Sequence, residues 1–252
     1  VFFFNPIPSK SQLKARELLI ENWLKNSIEW KECVKWQEMM AIRAESYKPP
    51  SLFPVNPTEH VRVHGEIPED QRVLSPDGRW MYTEVILPRG EALENTNGRK
   101  RGQVIFDGPV IIPRIHHSRD GRWMKEPWMS LTPQEIFTMR SGTRFAKGTV
   151  IVGGLGMGYQ LQKVCERAKV KEVIVVERDQ ALIDWVVPQL DLNGKDVEFI
   201  CGNAYELIPK MDANSALIDI YPCYGGNTFP PCPKIDKVWV WGSAQLSGSG
   251  RW

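Results

Sequence analysis

Residues 148–177 read GTVIVGGLGMGYQLQKVCERAKVKEVIVVE, and this stretch decides the fold. Thr149–Val152 is a β-branched run of the kind that builds a buried strand. It enters a turn with four glycines in six residues, Gly153, Gly154, Gly156 and Gly158. Glycine lets a backbone turn sharply and approach a ligand with no Cβ in the way. A helical stretch from about Tyr159 to Ala168 follows, then a second apolar run, Val173–Val176, that ends on Glu177. The order is β-α-β, and such a unit holds a nucleoside ligand at its strand ends. A carboxylate at the tip of the second strand accepts hydrogen bonds from both ribose hydroxyls. A tight strand-to-helix turn in an ordinary α/β protein accounts for fewer of these features.

The glycine spacing narrows the nucleoside. A dinucleotide fingerprint requires G-x-G-x-x-G. Gly154 and Gly156 supply the first two glycines, but the third place falls on Tyr159. The spacing is instead G-x-G-x-G across Gly154, Gly156 and Gly158, which makes a pyrophosphate cradle the weaker option.

From roughly Leu131 to Trp241 the chain resembles a class I S-adenosylmethionine-dependent methyltransferase. VIVGGLGMG is similar to the first strand and glycine loop that pass under the methionine portion of the cofactor. Glu177 in VIVVERD, with Arg178 beside it, resembles the family's ribose-binding acid. Gly202–Asn203–Ala204, after the run Val197–Cys201, resembles the G-D-A segment that grips the adenine edge. An Asn there still both donates and accepts. LIDIYP, Leu217–Pro222, resembles the fourth strand, whose end faces the substrate. Many class I members carry an acid where Val152 stands. An apolar residue there, followed by a double glycine, resembles the spermidine-synthase-like branch, whose acidic position is Gly156 in this chain.

The resemblance implies S-adenosylmethionine as cofactor and a doubly wound, mainly parallel α/β sheet of about five strands. It also implies a cofactor set of Gly153, Gly154, Gly156, Gly158, Glu177, Arg178, Asn203, Ala204 and Asp219. A methyl sulfonium is already activated, so its transfer needs in-line positioning more than acid–base help. A base is useful only where the nucleophile must lose a proton. Asp219 is the candidate for that task and Tyr221 for orienting the acceptor, although an Asp at a strand end equally caps the next turn. DIYP is not the N/D-P-P-Y of members that methylate exocyclic or amide nitrogens, which argues against DNA-adenine and glutamine substrates. The acceptor is expected to be a small molecule or a protein. Aminopropyl transfer, cleavage of the cofactor and a non-catalytic assembly role on the same scaffold stay open, as does homo-oligomerisation.

Around this unit the chain divides into three parts: a helical arm and Pro-rich linker over 1–58, a β-rich segment over 59–127, and the cofactor-binding domain over 128–252. Residues 9–46 carry apolar side chains at roughly helical spacing, including Leu13, Ile20, Leu24 and Ile28. Pro49–Pro57, PPSLFPVNP, reads as a linker, because clustered prolines remove backbone donors. Strand character recurs in VRV, MYTEVIL and QVIFDGPVIIPRI between residues 60 and 125. The segment also contains an echo, SPDGRWM at 75–81 and SRDGRWM at 118–124. Each Asp-Gly marks a hairpin turn. The Arg-Trp after each turn suits either a packed Trp or a stacking platform.

Trp128–Arg140 contains a helix start with Pro in its first turn, and Gln134 or Glu135 is placed to touch the ligand. A first-turn acid stabilised by the helix dipole is the competing role for Glu135. Further helices are expected at about 180–190 and 205–210, with strands at 197–201, 216–220 and 237–241. Residues 221–236 have no helical pattern.

Composition sets outer bounds. The formal net charge is +2, too small to argue for nucleic acid or an acidic membrane as partner. No apolar run approaches the ~20 residues that span a bilayer, and VFFF at the start is too short for a signal-peptide core. The cysteines at 33, 165, 201, 223 and 232 form no C-x-x-C pair. Cys165 and Cys201 are expected to be small buried apolar groups. Cys223 and Cys232 flank a loop and suit pairing or metal binding, but a reduced, cytoplasmic setting is simpler. His60, His64, His116 and His117 show no zinc spacing, and no metal site is expected.

Overall fold

A computed structural model describes residues 39–58, 67–97, 100–124, 126–222 and 225–243. The helical reading over 9–38, the VRV run, Cys33, His60, His64, Cys223 and the terminal SGSGRW lie outside them. The helical reading fails over 39–46, where the chain forms strand β1 (Met39–Ile42) and a short 3-10 turn, Ala44–Ser46. Its partner, far along the chain, overrides the local pattern: β1 pairs in parallel with residues 103–106, and Ala41 and Ile42 are buried.

The β-rich part continues through β2 (Val73–Leu74), β3 (Trp80–Leu87), β4 (Ala92–Asn97), β5 (Lys100–Phe106), β6 (Val110–Arg119), β7 (Arg122–Trp123) and β8 (Met129–Ser130). One sheet has the order β1-β5-β4, and another runs β2-β3-β6-β7 with β8 also on β6. Both echo segments are hairpin turns, joining β2 to β3 and β6 to β7. At the second, Asp120 and Gly121 have φ of 52° and 72°, the left-handed pair that a two-residue turn between twisted strands demands.

The Pro-rich stretch has no regular ladder, yet it is not a free linker. Phe53 is buried, stacks on Trp185 at 4.8 Å and meets Tyr82 edge-on at 5.3 Å. Thr58 bridges to Val85. Extended proline backbone cannot pair freely, so the segment is held by its aromatic and aliphatic side chains as a strap across the core.

The second half alternates: α1 (Pro133–Phe145), β9 (Gly148–Gly153), α2 (Tyr159–Cys165), β10 (Val170–Glu177), α3 (Gln180–Val186), β11 (Asp196–Cys201), α4 (Ala204–Leu207), β12 (Ser215–Ile218) and β13 (Val238–Val240). The five strands form one parallel sheet in the order β11-β10-β9-β12-β13, the expected doubly wound α/β arrangement. Among the described residues no helix makes the crossover from β12 to β13. Both faces are covered, which is why Val150–Val152 of β9 and Val173–Val176 of β10 are unbroken apolar runs. One face packs on α1–α3 in a core continuous with the β-rich part, through Tyr82, Phe106, Leu131 and Ile136. The other packs Ile151, Val176 and Ile218 against Ala204 and Ile208.

Two of the C-terminal tryptophans fasten α1 to β13. Trp239 Nε1 donates to Ser141 Oγ and Trp241 Nε1 to Thr138 Oγ1, both at 2.9 Å. A Cβ on Gly142 would lie 2.6 Å from the Trp239 ring, so the helix presents its one bare position to the indole.

Asp179 clamps the β-rich part to the parallel sheet. Its carboxylate caps α3, accepting from Ala181 N at 3.0 Å and Leu182 N at 3.4 Å. It also accepts two bonds from Arg79, at 3.0 and 2.9 Å, and one from Trp80 Nε1 at 3.1 Å. Loss of the cap and of the bond to the buried indole predicts that Asp179→Ala lowers unfolding free energy by about 2 kcal/mol in urea titration. A loss below about 0.5 kcal/mol would mean that the clamp holds nothing.

Candidate functional site

A parallel sheet offers its ligand site outside the carboxyl ends of the strands, where the strand order reverses. Here the reversal lies between β9 and β12, and a cavity of about 930 Å³ opens there. All five strand ends border it: Gly154 to Gly156 after β9, Glu177 and Arg178 at β10, Gly202 to Tyr205 after β11, Asp219 to Pro222 after β12, and Trp241 after β13. The roof comes from elsewhere in the chain, with Trp80, His117, Trp128, Met129, Glu135 and Met139.

The four glycines divide by task. Gly154, at φ +90°, is packed so tightly on the end of β12 that a Cβ would lie 2.1 Å from the Asp219 carbonyl oxygen. Gly156, at φ +53°, faces the roof, and a Cβ there would lie 2.3 Å from Met129 Sδ. Both border the cavity, whereas Gly153 and Gly158 do not. Gly153 faces the Ile208 and Ile218 side chains, and Gly158 begins α2 in the left-handed region against Leu190. These two serve packing.

Glu177 is half-buried at the tip of β10 and ties the loop to the strand end. One carboxylate oxygen accepts from Leu155 N at 2.9 Å, the other from Asp179 N at 3.0 Å. A carboxylate has about four acceptor directions, so each oxygen keeps capacity for a ligand hydroxyl. Arg178 is exposed on the rim. Asn203 uses its amide locally: its oxygen caps α4 by accepting from Tyr205 N at 3.1 Å, and its nitrogen donates to Glu206 at 2.8 Å. Ala204 is buried beside it. Tyr221 borders the cavity, but its hydroxyl donates to the Thr228 carbonyl at 2.7 Å and so pins the β12–β13 loop. Cys201 is exposed and borders the cavity, contrary to the buried apolar role expected of it, because β11 is an edge strand of the sheet. Cys165 is buried as expected.

Asp219 and Glu135 face this cavity together. Burial pushes the Asp219 carboxyl up to about 7. Burial also pushes Glu135 up to about 8, opposed by the Ser130 hydroxyl and reinforced by the Asp219 charge. Glu135 is held by Ser130, whose Oγ and N donate at 2.7 and 3.1 Å, while Thr132 caps α1. The first-turn acid is therefore a cavity group and not a solvated one.

Sequence reasoning missed Gln160. It lies one residue inside α2, is 6% exposed, borders the cavity, and neither its amide oxygen nor its amide nitrogen has a protein partner. A buried amide left unpaired costs stability, so this position calls for a ligand or an ordered water to complete it. Its neighbours in sequence look like an ordinary helix start, and nothing local signals the role. Arg79 and Trp80 were flagged by the echo, but not as walls of this cavity.

No family model matches the chain, and no curated protein matches it. Among solved structures it is similar to Trm5b from Pyrococcus abyssi, with 13% identity, 51% of this chain and 40% of that one covered, and a TM-score of 0.30. A protein-L-isoaspartate O-methyltransferase aligns with 19% identity over 48% of this chain and 38% of that one, at a TM-score of 0.33. A Δ(1)-pyrroline-2-carboxylate reductase from Thermococcus litoralis, in complex with NADH and L-proline, aligns with 13% identity over 64% and 51%, at 0.25. The chain spans about half or less of the length of each.

Proposed function

We propose that the cavity binds S-adenosylmethionine and that the protein transfers its methyl group to an acceptor. The observation that carries this reading is the pair Glu135–Asp219 beside the glycine loop. A dinucleotide would bring an anionic pyrophosphate to that loop and oppose the ionisation of both carboxyls. A sulfonium with an α-ammonium favours their ionised form and is attracted by it. The residues present fit such a ligand. Glu177 has acceptor capacity for the ribose hydroxyls, Gly154 and Gly156 leave the loop bare, and the unpaired Gln160 amide can bond an α-carboxylate or α-ammonium. Bound there, the cofactor supplies an already activated methyl group.

The chain's own contribution is position and proton uptake. Asp219, with a pKa near neutrality, accepts the proton that an incoming O–H, N–H or S–H nucleophile gives up on methylation. Tyr221 shapes the acceptor side through the loop it pins. Gly153 and Gly158 support the pocket from behind, Asn203 and Ala204 border the nucleoside end, and Arg178 lies at the rim. Val152 before the double glycine favours the spermidine-synthase-like branch, and Gly156 in the acidic place of that branch favours methyl over aminopropyl transfer. Incubation with labelled cofactor and a panel of acceptors tests this: adenosylhomocysteine is the expected product. Methylthioadenosine as the sole product would overturn methyl transfer.

A further inference from the structure

We propose that Trp80, His117 and Trp128, with Arg119 and Arg178, form the acceptor subsite, and that it takes a small molecule with a planar ring bearing a phosphate or carboxylate. This rests on the reading of the rest of the cavity as a cofactor site.

The three rings form one cluster. Trp80 and His117 have centroids 4.5 Å apart, and Trp128 lies 6.2 Å from Trp80 and 6.1 Å from His117. Trp80 is locked by its bond to Asp179 and is 5% exposed, whereas Trp128 is 43% exposed at the same rim. A rigid ring behind and an open one in front suit stacking, because a planar ligand covers the exposed indole without displacing the buried one. Burial, reinforced by Arg79, holds the His117 imidazole below its usual pKa, so it enters the cluster as an uncharged ring at neutral pH.

Charge selects the sign of the ligand. Arg79 is neutralised by Asp77 and Asp179. Arg119 and Arg178 border the cavity, both exposed, and neither has an acidic partner within ion-pair distance among the described residues. Both charges also hold the His117 pKa down. An aromatic cage for a methylated ammonium would need the opposite surroundings. The cavity is thus polarised, with carboxyls at Glu135 and Asp219 and guanidinium groups at the aromatic rim. The cavity, about 930 Å³, extends from the glycine loop to this rim.

Calorimetry on the full chain tests the subsite. The protein is first saturated with S-adenosylhomocysteine, so that the nucleoside pocket is filled, then titrated with guanosine monophosphate, uridine monophosphate and indole-3-carboxylate. At least one of the three is expected to bind, with guanosine and inorganic phosphate each about tenfold or more weaker than guanosine monophosphate. Trp128→Ala and Arg119→Glu, both at exposed positions, are each expected to weaken binding about tenfold or more while leaving S-adenosylhomocysteine affinity unchanged. No binding by any of the three probes, or binding untouched by both substitutions, overturns the proposal. If S-adenosylhomocysteine fails to bind while a probe still binds in a Trp128-dependent way, the cofactor reading falls and the subsite stands.

Discussion

Glu177→Ala lowers the affinity for S-adenosylhomocysteine by about a hundredfold to a thousandfold, read by calorimetry. Each hydrogen bond from a ribose hydroxyl to a carboxylate is worth about 1.5–3 kcal/mol, and two bonds at the lower end of that span give a loss of this size. The substitution does more than remove contacts. Leu155 N and Asp179 N lose their acceptors, so the glycine loop is no longer tied to the end of β10. Preorganisation is lost along with binding energy. Glu177→Gln separates the two effects: it keeps one acceptor but turns an amide N–H toward a backbone N–H, and about a tenfold loss is expected. An affinity for the alanine variant within about threefold of the native value sinks the assignment of this strand end to a ribose.

The second large effect is on pH. In the free protein Glu135 and Asp219 hold protons up to about 8 and about 7. A cationic ligand binds the ionised carboxylates, so below those values binding must first expel protons, and affinity rises with pH. Between pH 6 and pH 8.5 the gain is about tenfold where only Asp219 must ionise, and it approaches a hundredfold where Glu135 must. The sulfonium keeps its charge throughout, so S-adenosylmethionine is the ligand to use. Asp219→Asn and Glu135→Gln each flatten the profile, and the double variant removes the dependence. An affinity that falls as pH rises over this interval would show that the pair faces an anion, which would overturn the cofactor proposed here. The same carboxyls have a cost to the fold. Their pKa values are raised above those of the unfolded chain, so their destabilising effect grows as pH rises toward 7 and 8. Glu135→Gln should therefore raise the melting temperature of the free protein at pH 8, by a few degrees at about 2–4 °C per kcal/mol.

Much of the parallel sheet was legible because its signals are local. Thr149–Val152 and Val173–Val176 are β-branched over the length of a buried strand, and Gly154 and Gly156 sit at backbone positions with positive φ that other residues strain to adopt. Asp120–Gly121 announced its hairpin for the same reason. Elements that depend on a distant partner were read less well. Met39–Ile42 continues a helical pattern and becomes a strand because β5 offers it a parallel edge. Phe53 lies in a proline-rich run that looks like a linker, and only Trp185 and Tyr82 make it part of the core. Cys201 looks like a strand interior, and its place on an edge strand exposes it.

Within the site the same division holds. Glu177 and Asp219 were found because each ends a recognisable strand. The meeting of Asp219 with Glu135, the unpaired Gln160 amide, and the contact of Arg79 and Trp80 with Asp179 carry no signal in any short window. By itself the sequence determined a β-α-β unit, its bare loop and the acid at its second strand end, since backbone conformation and strand burial depend on neighbours in the chain. Only the tertiary structure decided the charge and shape of the cavity, since proton affinity and stacking depend on which side chains are brought together in space.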